Sequence, residues 1–126
     1  MQDEPTPVEL TKAVADFLRN VITPMVSGHN AFKLRVAINA LDLVVRQLAL
    51  EQGSDAAEAG RLTKLLGVEG SLLEQNHALA ERIAKGEVDL ATPSLSEHLW
   101  QTTMAKLAVD QPNYASYRRE LGRKGD

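Results

Sequence analysis

Apolar positions recur at steps of three and four along most of the chain. Val14, Phe17, Leu18, Val21, Ile22 and Met25 share one side of a helix, with Lys12, Asp16, Arg19 and Asn20 on the other. Thr6 suits the N-cap of this helix, Pro7 its first helical position, and Glu9 closes a capping box. Pro24 is expected to end or kink it. Ser27-Gly28-His29-Asn30 reads as a turn, and a second helix follows over roughly 31 to 51. Leu34, Ala37, Ile38, Leu41, Val45 and Leu48 make one apolar face there. Val36, Ala40, Leu43 and Leu50 make another. Apolar on so much of its circumference, this helix is expected to be central.

Gly53-Ser54-Asp55 reads as an interruption, followed by a short helix to about Leu66 with Gly67 as its C-terminal cap. Ser71-Leu72-Leu73-Glu74 is a second capping box. It opens a helix to about Lys85, whose apolar stripe is Leu72, Leu79 and Ile83. Asn76 falls inside that stripe, which makes it the candidate buried amide. Thr92-Pro93-Ser94 starts a further helix, with Glu97 able to reach back to Ser94. Leu95, Leu99, Trp100, Thr103 and Leu107 are expected to face inward, and Pro112 stops the helix. Beyond it, residues 115–126 read as a basic, partly disordered tail carrying Arg118, Arg119, Arg123 and Lys124. Tyr114 and Tyr117 are placed to fold back onto the core. No stretch has the period of a strand. The pattern predicts an all-α fold: a single compact, bundle-like domain of about five helices over residues 1–126.

Composition agrees with that pattern. Aromatics are 4% of the chain, so the core must rest on Leu, Val, Ile and Ala. Net charge is −3, close to balance, and lacks the basic stripe that marks nucleic-acid or anionic-membrane binding. Cysteine is absent, which excludes disulfides, thiolate metal sites and cysteine nucleophiles. No apolar run reaches membrane-spanning length, and Met1-Gln2-Asp3-Glu4-Pro5 is too acidic for a secretion signal. The expected location is the cytoplasm.

Candidate chemistry is sparse. His29, His77 and His98 fall in a turn and two separate helices, without the convergent spacing that zinc requires. Glu74 and His77 form one Glu-x-x-His step with Glu81 a turn beyond, but di-iron bundles need two such steps. No phosphate loop or serine-nucleophile motif is present. The reading leans away from an enzyme, and no cofactor or metal is expected. The best candidate site is the stripe Arg35, Asn39, Asp42 and Arg46 on the second helix. Its two guanidiniums and one amide suit an anion or a docked partner. A solvated face with an Asp42–Arg46 pair is the simpler account.

Phe32-Lys33-Leu34-Arg35-Val36-Ala37-Ile38-Asn39-Ala40-Leu41 with Val44-Val45-Arg46, and Lys106-Leu107-Ala108-Val109-Asp110-Gln111-Pro112-Asn113-Tyr114, are the most distinctive segments. With Asp3-Glu4-Pro5 and Glu9-Leu10, they resemble a small bacterial helical family of unknown function over nearly the whole chain. The resemblance implies genes beside aminoglycoside-phosphotransferase-like kinases and acyl-CoA dehydrogenases. It supplies no catalytic residues. The resulting expectation is a non-catalytic accessory domain that binds such a phosphotransferase-like or acyl-CoA-metabolising enzyme. The alternative is a module binding acyl-CoA or a phosphorylated ligand at the Arg35–Arg46 stripe. A leftover apolar face leaves a homodimer open.

Overall fold

The computed structural model describes residues 4–124. Among them are five α-helices: α1 (Pro7–Phe17), α2 (His29–Leu66), α3 (Leu72–Ala84), α4 (Leu95–Asp110) and α5 (Ala115–Lys124). No strand occurs among the described residues. The chain is all-α, as its periodicity predicts. It divides into two compact units, one ending at Glu51 and the other beginning at Gln52, a division that the sequence reading did not draw.

In the first unit, Thr6 and Glu9 form the expected capping box, with the Glu9 amide donating to Thr6 Oγ1 at 3.2 Å. The helix then widens into a π-helical segment, Leu18–Ile22, and tightens into a 3-10 turn, Thr23–Met25. Pro24 is the physical cause. It has no N–H to give to a carbonyl four residues back, and its ring crowds that carbonyl. Thr23 fills the widened turn by donating from its hydroxyl to the Leu18 carbonyl at 3.0 Å. The expected single apolar stripe of this helix is split. Ala15 is buried and Leu18 and Ile22 are half-buried, whereas Val14, Phe17 and Val21 are exposed.

α2 is one continuous helix of 38 residues. The expected interruption at Gly53-Ser54-Asp55 does not form. A glycine inside a helix costs only about 1 kcal/mol relative to alanine. Leu48-Ala49-Leu50-Glu51-Gln52 before it and Ala56-Ala57-Glu58-Ala59 after it are strong helix formers. The weak point in the sequence thus marks the border between the two units, not a break in the helix. The helix ends where expected, at Gly67, whose φ of 69° permits the reversal and whose N–H donates to the Thr63 carbonyl.

In the second unit, Leu62 and Leu66 of α2, Leu79 of α3, Val88 of the next loop and Leu95 of α4 form the buried core. α3 opens with the predicted capping box. The Glu74 amide donates to Ser71 Oγ, and Glu74 Oε2 accepts from the Ser71 amide. That carboxylate lies where a Cβ on Gly70 would sit, 2.7 Å away. α4 departs from expectation at its start. Ser94 is left-handed, with φ 72°, and makes no side-chain cap. Glu97 instead accepts from Gln101 Nε2. The preceding turn is held by Thr92 Oγ1, which accepts from the Asp89 amide, and by Asp89 Oδ1, which accepts from the Ala91 amide. In place of the expected basic, partly disordered tail over 115–126, Ala115–Lys124 forms α5, anchored by the buried Tyr117, and residues 125 and 126 lie outside the described residues.

Two substitutions test these local conformations by thermal or urea denaturation. Ser94→Gly removes the steric cost of a left-handed residue and is expected to stabilise the protein by about 1 kcal/mol. Gly70→Ala pushes a methyl group into the Glu74 carboxylate and is expected to cost about 1–2 kcal/mol by opening the α3 cap.

Candidate functional site

The most ordered polar cluster lies in the second unit and is built on Arg61 of α2. Its three guanidinium nitrogens each donate to α4: Nε to His98 Nδ1 at 3.3 Å, Nη1 to Gln101 Oε1 at 3.2 Å, and Nη2 to Thr102 Oγ1 at 3.1 Å. Residues 98, 101 and 102 fall on one helical turn, so one rigid planar fork reads one face of α4. All three acceptors are neutral. The arrangement cross-links α2 and α4 through side chains.

His98 is 3% exposed, although the sequence reading gave it no role. Burial, followed by the positive charge of Arg61, holds its imidazole below the ordinary value of 6.5, with Glu58 opposing in part. Because Nδ1 accepts from Arg61, the neutral ring carries its proton on Nε2. Leu95 faces inward as expected, but His98, Gln101 and Thr102 join it toward α2 in place of Leu99, Trp100 and Thr103. Leu99, Trp100 and Thr103 are exposed and Leu107 is half-buried.

The same correction by one position applies to the buried amide. Asn76 is exposed, donating from Nδ2 to Glu58 Oε1 and to the Leu72 carbonyl, each at 3.0 Å. Gln75 is the buried one, 2% exposed, donating from Nε2 to Thr63 Oγ1 and to the Val68 carbonyl. A longer side chain lets Gln75 reach from α3 to the end of α2, so the helix turns its neighbour outward. Arg82 adds a third tie, donating to the Leu66 carbonyl at 3.0 Å.

The predicted stripe lies in the first unit. Arg35 and Asn39 are exposed, and Asp42 and Arg46 are half-buried. Asp42 accepts from Arg19 Nη2 at 2.5 Å, and Arg19 also holds Asp16 at 3.0 Å. This ties the π-helical segment to α2, a pairing across 23 residues that helical spacing could not reveal. The Glu74, His77 and Glu81 series does not converge. Glu74 caps its helix, Glu81 pairs with Lys85, and His77 is exposed. Among the described residues no three His, Asp or Glu side chains are grouped to hold a metal ion, and no helix is long and apolar enough to cross a membrane.

Residues 24–114 match DUF6285, described as a domain of unknown function. The chain belongs to the DUF6285 family. The matched span of this DUF6285 protein contains α2, α3 and α4 entire, and with them Arg61, His98, Gln75 and the Arg35–Arg46 stripe. No curated protein and no solved structure matches the chain.

The lowered pKa of His98 fixes the sign of a pH effect. The unfolded chain takes up this proton more readily than the folded one. The His98 contribution to stability is whole above about pH 6.5 and is lost as pH falls through the lower folded value. In His98→Gln, the fall in urea midpoint between pH 7 and 5.5 is expected to be shallower than in the parent protein. Arg61→Ala is expected to cost about 3 kcal/mol, and Arg61→Lys to recover less than half of that, because lysine keeps the charge but not the fork. Equilibrium urea unfolding at pH 7 measures both.

Proposed function

We propose that this DUF6285 protein is a non-catalytic interaction domain that docks a protein partner on its first unit. One observation carries the reading. Within residues 4–51, only Ala15 and Ile38 are buried among the described residues, while ten large apolar side chains are at least 42% exposed. Leu10, Val14 and Phe17 run down one side of α1, and Phe32, Val36 and Leu50 down one side of α2. At roughly 120 Å² for each fully exposed side chain, the ten together expose about 600 Å² of apolar surface, comparable to the largest apolar patches of monomeric proteins, which are often functional. An apolar surface of this size marks an interaction site.

The resemblance of the sequence points to a phosphotransferase-like or acyl-CoA dehydrogenase-like enzyme as the partner. A second copy of the chain is the other candidate. Residues 4–51 carry five acidic and five basic side chains, so the surface sets up no net repulsion against itself. The competing reading, an acyl-CoA or phosphorylated ligand on the Arg35–Arg46 stripe, is weakened by Asp42. That carboxylate stands inside the stripe, already committed to Arg19.

The reading predicts that Phe17→Ser combined with Phe32→Ser abolishes association while leaving helicity by circular dichroism unchanged. Affinity capture of the intact protein from its native cells, with sedimentation of the pure protein alongside, provides the measurement. Recovery of a stoichiometric enzyme of either class, or a dimer, that disappears in the double variant is the expected result. A pure monomer that captures neither, or capture undiminished in the variant, overturns it.

A further inference from the structure

The chain has only five aromatic residues, and three of them meet at one place. Trp100 on α4, Tyr114 just before α5 and Tyr117 on α5 line a cavity of about 160 Å³, together with Met104, Leu107 and Glu120. Position along α4 explains why. Trp100, Met104 and Leu107 fall on the side of that helix opposite His98 and Thr102, at about 100° per residue. The clasp on Arg61 turns the one face toward α2 and so leaves the other for α5.

Tyr117 is 8% exposed and anchors α5, but Trp100 and Tyr114 remain 42% and 50% exposed. The rings are thus only partly used for packing. Among the described residues the one charged side chain lining the cavity is Glu120, and none of them places a basic side chain there, which disfavours an anion. The hydroxyl of Thr103, on the same wall, is already committed to the Leu99 carbonyl. The other polar groups of the lining are the Ser116 hydroxyl, which accepts from Arg119 Nη2 at 3.5 Å, the two tyrosine hydroxyls and the Glu120 carboxylate. A quaternary ammonium group has no N–H to satisfy, and aromatic faces with a nearby carboxylate attract its charge. The volume suits it too, being close to that of apolar cavities that hold benzene, about 150 Å³.

We propose that the cavity between α4 and α5 binds a small quaternary ammonium group, with Trp100, Tyr114 and Tyr117 as its aromatic walls and Glu120 as counter-charge. Glu120 also accepts from Arg123 Nη1 at 2.9 Å. Arg123 is largely exposed and lies outside the cavity lining, so this solvent-screened pair competes only weakly with a bound cation. It does give the site a signature. Removing the Arg123 charge strengthens cation binding, whereas a purely structural role for the pair predicts no gain.

Trp100 is the single tryptophan and reports on the cavity directly. The test titrates the full chain with choline and, separately, with 3,3-dimethylbutan-1-ol, its uncharged carbon analogue, following Trp fluorescence. The expected result is saturation by choline with about tenfold tighter binding than the neutral analogue. Glu120→Gln is expected to weaken choline several-fold and Arg123→Ala to tighten it, both without loss of helicity. Phosphatidylcholine vesicles separate the sources of the group. A stronger response per headgroup than with free choline supports a lipid-borne ligand, and no stronger response supports a free methylated amine. No saturable response to choline, or equal affinity for the neutral analogue, overturns the proposal.

Discussion

Arg61 governs the arrangement of the second unit. A partly buried guanidinium that loses water is stabilised by acceptors for its N–H groups. It finds three on one turn of α4, in His98, Gln101 and Thr102. That match leaves α4 little freedom to rotate about its own axis. Leu95 is then carried into the cluster of Leu62, Leu66, Leu79 and Val88, and Trp100 is carried away from it. The aromatic cavity against α5 is thus a consequence of a polar contact on the other side of the helix. Gln75 and Arg82 play the same part for α3, each tying it to the last turns of α2.

The first unit follows a different logic. Among its described residues Ala15 and Ile38 are buried, and Arg19 bridges Asp16 and Asp42. Exposed ion pairs of this kind contribute little. Some of its apolar residues are exposed, among them Leu10, Val14 and Phe17 on α1 and Phe32, Val36 and Leu50 on α2. Exposed apolar side chains in such number are the physical basis for the proposed interaction surface. The π-helical widening before Pro24 adds to this by dividing the apolar residues of the first helix between two sides.

Much of the fold was legible beforehand. Capping boxes at Thr6 and Ser71, glycine stops at Gly67 and Gly86, and a 3.6-residue period located α1, α3 and α4 to within a residue or two at most ends. The errors share one cause. Gly53, Asn76 and the α4 face were each judged by local pattern alone. Gly53 keeps helical geometry because its neighbours outweigh a cost of about 1 kcal/mol. Gln75 displaces Asn76, and His98 displaces Leu99, because a polar side chain with partners on another helix buries as readily as an apolar one. The signal that could have found His98 was the set of hydrogen-bonding residues at 98, 101 and 102 on one side of α4.

The sequence by itself determined the all-α class and most helix ends, since these depend on propensity, capping and spacing along a few residues. Only the tertiary structure decided which face of each helix turns inward. That choice rests on partners distant in the chain: Arg61 with His98, Arg19 with Asp42, and Gln75 with Thr63. It also decided where apolar residues would remain uncovered. Periodicity shows that a helix has an apolar face, but whether another element is there to cover it is a property of the whole assembled chain.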